Sequence, residues 1–117
     1  MGNPVVHWEL NSTKAPELQA FYADVFGWGI DSDNPMDYGM VQTQAEGGIN
    51  GGIGPVEEGE DQDWITFYIG VDDLNAYLNK VGEKGGSTLV PPTEIPGGLT
   101  FALFLDPGGN RVGLVKN

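Results

Sequence analysis

The sequence predicts an α+β fold: two βαβββ modules whose sheets join into a curved, partly open mixed β-barrel with the helices outside. Three observations predict it. A stretch with strand periodicity runs directly into a stretch with helix periodicity in residues 5–28. The same succession returns in residues 64–81. Each is followed by short strand-like runs separated by turns, for which the chain's 19 glycines and 8 prolines provide the chemistry.

In the first stretch Val6, Trp8 and Leu10 alternate with Val5, His7 and Glu9, the period of a strand. Leu18, Phe21, Tyr22, Val25 and Phe26 then fall at helical spacing and form one apolar stripe. Pro16 suits the first helical turn, and Gly27 suits a left-handed close. The stripe predicts that Phe21, Tyr22 and Phe26 are core residues. The helix folds back over the face carrying Val6, Trp8 and Leu10, which predicts Trp8 in the core as well. His7 and Glu9 then look the other way, and the protein's chemistry is expected on that face.

Residues 31–37, DSDNPMD, are turn chemistry, and residues 38–44 read as a strand. Residues 47–55, GGINGGIGP, read as a short strand in which the glycines predict a close backbone approach or a bulge. Residues 57–63, EEGEDQD, read as a solvated acidic linker. They lack the regular carboxylate spacing of a calcium loop.

The second module opens at 64–71, with Ile65, Phe67, Ile69 and Val71 on one face and Trp64, Thr66 and Tyr68 on the other. Asp72 or Asp73 can cap the helix that carries Leu74, Tyr77, Leu78 and Val81. Gly82, Gly85 and Gly86 end it. Strands are expected at 87–90, 99–105 and 111–116. A long turn at 91–98 and a tight DPGGN turn at 106–110 separate them.

The 117 residues suit one domain, 1–117, divided into module one (1–56), the linker (57–63) and module two (64–117). There is no cysteine, hence no disulfide or thiolate chemistry. A net charge of −12 with only five Lys and Arg argues against nucleic acid as a partner. The N-terminal residues carry no basic, apolar leader pattern, and no apolar run approaches the roughly 20 residues that span a bilayer. A soluble cytoplasmic protein without membrane partners is expected.

His7, Glu9, Trp64, Thr66, Tyr68 and Arg111 are the candidate ligand-binding residues. His7 can ligate a metal, act as a base, or simply hold a hydrogen bond in a groove. Glu9 can bind a cation or orient His7. Trp64, Tyr68 and Trp8 can stack on a planar or cationic ligand, although Trp8 shares its face with Val6 and Leu10 and is expected in the core. Arg111 can pair with Glu9, with an anionic ligand, or with a surface carboxylate. Gln42 and Asn50 are neutral hydrogen-bonding candidates. No helix or Lys-Ser/Thr follows the GGINGGIG segment, so it is not a phosphate loop.

Four features carry a family resemblance. They are the opening strand with His7, the helix end FYADVFGW at 21–28, the VDDL start of the second helix at 71–74, and DPGGN at 106–110. With them the chain resembles the vicinal oxygen chelate superfamily of glyoxalases, extradiol dioxygenases and bleomycin resistance proteins. Within it the chain looks most like small glyoxalase-like proteins with a GG-x-x-GG segment, here at 47–52. The resemblance implies a ligand on the first and the last strand of each module of metal-dependent members. Those positions hold His7, nothing usable in residues 49–54, Thr66, and Gly113.

A divalent cation of that kind needs about three protein donors. His7 and Glu9, about 7 Å apart along a strand, would make a weak pair. The expectation is therefore no tight metal site and no required cofactor, with His7 and Glu9 the ligands should a divalent metal bind. A small-molecule binding protein is expected, for an aromatic or cationic ligand. The resemblance implies a homodimer. The alternative is a divalent-metal-dependent lyase, isomerase or dioxygenase acting on a vicinal-oxygen substrate.

Overall fold

A computed structural model describes residues 2–95 and 98–117. In chain order the elements are β1 (Val5–Ser12), α1 (Ala15–Phe26), β2 (Gly29–Asp31), β3 (Gly39–Gln42), β4 (Gly51–Pro55), β5 (Trp64–Val71), α2 (Leu74–Glu83), β6 (Ser87–Glu94), β7 (Thr100–Leu105) and β8 (Arg111–Lys116). The fold is α+β, and βαβββ occurs twice, as the periodicity predicts. The chain forms two compact units: His7–Ile65, and Thr66–Asn117 together with the residues before His7.

In the first unit the strand order is β2-β3-β4-β1. β1 runs parallel to β4, with Trp8 opposite Gly51, Glu9 opposite Gly52 and Asn11 opposite Gly54. β3 is antiparallel to both β2 and β4. Helix α1 lies against β4 and β2. Gln19 Nε2 anchors it by donating to the Ile53 carbonyl at 2.7 Å. Gly27 closes the helix in the left-handed region, φ 73°, its N–H bonded to the Ala23 carbonyl.

The acidic stretch, residues 57–63, is exposed throughout. It ends at Asp63, whose carboxylate accepts from Ser12 Oγ at 2.7 Å and from the Thr13 N–H at 3.1 Å. Ser12 Oγ in turn accepts from the Lys14 N–H, so the turn from β1 into α1 is held from outside the helix.

The expectation that the α1 stripe is core is overturned for its outer half. Phe21 is 52 % exposed, Val25 56 % and Phe26 58 %. Only Ala15 is fully buried on this helix. The cause lies beneath the helix: β4 is mostly glycine, so Ile53 is the one large side chain it offers, and Trp28 covers the rest by stacking on Tyr22 at 5.5 Å. A stripe of five large residues is wider than the apolar surface it meets.

The second unit has the order β5-β8-β7-β6. β5 is parallel to β8, with Tyr68 opposite Gly113, and β7 is antiparallel to β8 and β6. Here the helix does bury its stripe. Leu74 and Leu78 join Val71, Ala102, Phe104, Val112 and Leu114 in one core cluster, with Ile69, Tyr77 and Val81 packed against it. Asp73 caps α2 by accepting from the Ala76 N–H at 3.1 Å. In the DPGGN turn, Asp106 Oδ1 accepts from the N–H groups of Gly108 and Asn110, both at 2.9 Å.

Strand β6 runs further than expected, to Glu94, through Pro91 and Pro92. It stands at the end of its unit's strand order and its pairing with β7 carries irregularities, so two residues without an N–H donor cost little there. The expected turn at 91–98 shrinks accordingly. Pro96 and Gly97, which it includes, lie outside the described residues.

Candidate functional site

The alternation of β1 sends Trp8 and Leu10 toward α1, and His7, Glu9 and Asn11 to the opposite face. A fourth residue joins them, and it comes from outside the strand. Tyr38 enters from the DSDNPMD turn, where Asn34 holds its backbone at both ends. Asn34 Oδ1 accepts from the Tyr38 N–H at 3.0 Å, and Asn34 Nδ2 donates to the Tyr38 carbonyl at 2.6 Å.

From there the phenol reaches over β4. Its hydroxyl donates to Glu9 Oε2 at 2.8 Å and lies 3.0 Å from His7 Nε2. The phenol has one proton, and the carboxylate takes it. His7 Nε2 must therefore be the donor in the second bond. Asn11 Nδ2 donates to the other oxygen of Glu9 at 3.1 Å. The result is a directed row, imidazole N–H to phenol O–H to carboxylate, in which each bond polarises the next.

His7 is half-buried. Burial pushes its pKa below the ordinary 6.5, and the negative charge of Glu9 offsets part of that. At neutral pH the ring is uncharged, with its proton on Nε2 to satisfy the row.

The glycines of β4 make this arrangement possible. A β-carbon on Gly52 would overlap the Tyr38 hydroxyl and ring, and one on Gly54 would lie 2.6 Å from the same ring. The glycine pattern predicts a close backbone approach or a bulge; at Gly52 and Gly54 what comes close is instead a side chain, the ring of Tyr38. On the α1 side of the strand, Gly51 lies under the Trp8 ring in the same way. The second unit repeats the device. Gly113, opposite Tyr68 in the register, has the Tyr68 ring packed on it.

Of the other candidates, Trp64 belongs to the first unit and is half-buried. Thr66, Tyr68 and Arg111 belong to the second. Thr66 is 3 % exposed, and its hydroxyl donates to the Arg111 carbonyl at 2.6 Å. Tyr68 is 6 % exposed, buried rather than presented to open space. Asn50 closes a loop: its Oδ1 accepts from the Thr43 N–H at 3.0 Å. Gln42 is exposed.

The α1 face of the first unit holds a separate apolar cleft of about 190 Å³, lined by Trp8, Leu10, Tyr22, Trp28, Ile53 and Ile65. Trp8 meets Trp28 at 5.4 Å and Trp28 stacks on Tyr22 at 5.5 Å, so the aromatic half of its lining is one connected group. The indole N–H of Trp8 is satisfied by the Ile49 carbonyl at 2.7 Å.

The donor set does not fit a chelated divalent cation. In the first unit His7 and Glu9 already share the Tyr38 hydroxyl; in the second, taken by itself, Thr66 gives its proton to a carbonyl and Gly113 has no side chain. Among the described residues no group of three or more His, Cys, Asp or Glu is gathered as a metal site would need.

Comparison with known proteins supplies the lineage. The proposed glyoxylase CFP32 of Mycobacterium tuberculosis is 33 % identical over 115 residues, covering 91 % of this chain; the chain spans only 42 % of the length of CFP32. A glyoxylase-like domain-containing protein of Didymella fabae is 32 % identical, with 87 % of this chain and 84 % of that protein covered. A solved superfamily member from Vibrio splendidus 12B01 shares the fold with a TM-score of 0.69 at 16 % identity, over 99 % of this chain and 100 % of the other. The family model of the glyoxalase/bleomycin resistance protein/dioxygenase superfamily matches residues 5–114, and the chain belongs to that superfamily.

Proposed function

We propose that this chain binds a small molecule through the face of β1 that carries His7 and Glu9, without the chelated ion that the resemblance implies for metal-dependent relatives. The observation that supports the reading is the row His7–Tyr38–Glu9, which commits the two available donors to a phenol. The ligand is an aromatic or cationic molecule. The carboxylate of Glu9 and a net charge of −12 favour a cation, and the half-buried Trp64 offers an aromatic surface in the same unit.

The protein works as a homodimer in this reading, supported by the three large apolar residues that α1 leaves exposed. The absence of cysteine accords with a cytoplasmic setting.

A thermal-shift screen of aromatic and cationic compounds tests the reading, because a ligand that binds only the folded state raises the melting temperature by mass action. A hit whose effect is lost in His7→Ala and Glu9→Gln supports it. Elemental analysis that finds one divalent ion per chain, lost in His7→Ala, replaces it with a metal-dependent lyase, isomerase or dioxygenase.

A further inference from the structure

We propose that Tyr38 is a built-in occupant of the cation position: its hydroxyl sits where His7 Nε2 and Glu9 Oε2 converge, and it keeps divalent metal ions out. The convergence is geometric. The two donor atoms aim at one point, and the phenol oxygen fills it at 3.0 Å from one and 2.8 Å from the other. A zinc-like ion bound to both would stand about 2.0–2.2 Å from each, closer than the phenol oxygen, so it must draw both groups away from the bonds they make to the hydroxyl. While Nε2 donates its N–H to the hydroxyl it has no lone pair to give an ion.

Three further observations say that this occupancy is constructed. The backbone of Tyr38 is clamped at its N–H and its carbonyl by one side chain, Asn34. The strand beneath gives up its side chains at Gly52 and Gly54, and both positions would collide with Tyr38 if a β-carbon were added. The hydroxyl is matched to its neighbours as well as placed. It donates to the group that is an anion and accepts from the group that is a neutral N–H donor, so the row is internally satisfied with no ion present. The chain thus replaces an ion and its waters with a tethered hydroxyl, which no chelator can remove. This inference stands on the geometry of the first unit and not on the identity of any ligand.

The test is titration of wild type, Tyr38→Phe and Tyr38→Ala with Zn²⁺ and Ni²⁺ by calorimetry. Tyr38→Phe keeps the ring in its cradle and removes only the oxygen. Tyr38→Phe is expected to take up one ion at least about tenfold more tightly than wild type, the scale on which neighbours of metal ligands tune affinity. The double variant His7→Ala/Tyr38→Phe is expected to lose that gain.

His7 is the only histidine, so a single imidazole resonance gives a second readout. Substoichiometric Ni²⁺ should broaden it in Tyr38→Phe and leave it sharp in wild type. Equal affinity in wild type and both variants overturns the proposal. So does a folded Tyr38→Phe, or a folded Tyr38→Ala should the first not fold, that gains no ion. Either result leaves the ligand-binding reading to its own screen.

Discussion

Tyr38 lies over Gly52 so closely that a single methyl group at position 52 would overlap its hydroxyl. Gly52 does not have a positive φ, so it is glycine for space and not for backbone freedom. The two residues come from different strands and loops, yet neither is explicable without the other.

Gly52→Ala is therefore expected to destabilise the protein by about 1–3 kcal/mol, the range for overpacking a filled site. In a Tyr38→Ala background the same change should cost far less, because the overlap is gone. A denaturant double-mutant cycle measures the coupling. Simple additivity would mean that the ring is not what Gly52 accommodates.

The single histidine makes its titration readable. Its folded-state pKa lies below 6.5, chiefly because burial disfavours the charged ring. The unfolded chain then binds more protons than the folded one between the folded pKa and 6.5. The stability contributed by His7 is complete above about pH 6.5 and is lost as pH falls through the folded pKa. A proton NMR titration should show a midpoint below 6.5. Glu9→Gln should move it lower still, since the charge of Glu9 is what partly restores it.

Asp63 has a lowered pKa, first because Ser12 Oγ donates to its carboxylate and next because the Thr13 N–H does. A depressed carboxylate adds stability above its ordinary value of 3.8 that is lost as pH falls through the folded one. Asp63→Asn is expected to lower the melting temperature at pH 7. The gap between variant and wild type should close in acid.

The two helices should answer differently to truncation. Leu78→Ala on α2 removes a side chain from the core cluster and is expected to cost about 2–5 kcal/mol in denaturant unfolding. Val25→Ala on α1, 56 % exposed, should change stability by less than about 0.5 kcal/mol.

Val25→Asp should instead change assembly. A charge placed in the exposed α1 stripe is expected to convert a homodimer to a monomer in light scattering, with folding intact. A wild-type monomer at working concentration would remove the dimer from the proposed function.

Periodicity was enough to place both helices and the strand that precedes each, because alternation and helical spacing are local properties that every residue of an element repeats. The tight DPGGN turn was legible for the same reason: Asp106 bonds to backbone two and four residues away. The α1 stripe shows where such reasoning fails. Spacing says which residues share a side of a helix, but not how wide a surface waits beneath it, and β4 is too poor in side chains to cover Phe21, Val25 and Phe26. Strand β6 fails similarly: Pro91 and Pro92 read as a turn until the strand is known to lie at the end of its unit's order.

The sequence by itself determined the α+β class, the repeated βαβββ order, and the face of β1 on which His7 and Glu9 stand. It also flagged the glycines of residues 47–55 as room for something, read as a close backbone approach or a bulge. Only the tertiary structure decided that the something is Tyr38, 29 residues from Glu9 along the chain and 2.8 Å from it in space. The reason is that a hydrogen bond between distant segments leaves no periodic trace. What it leaves is the glycine opposite, where the absence of a side chain is legible and the identity of the group that needs the room is not.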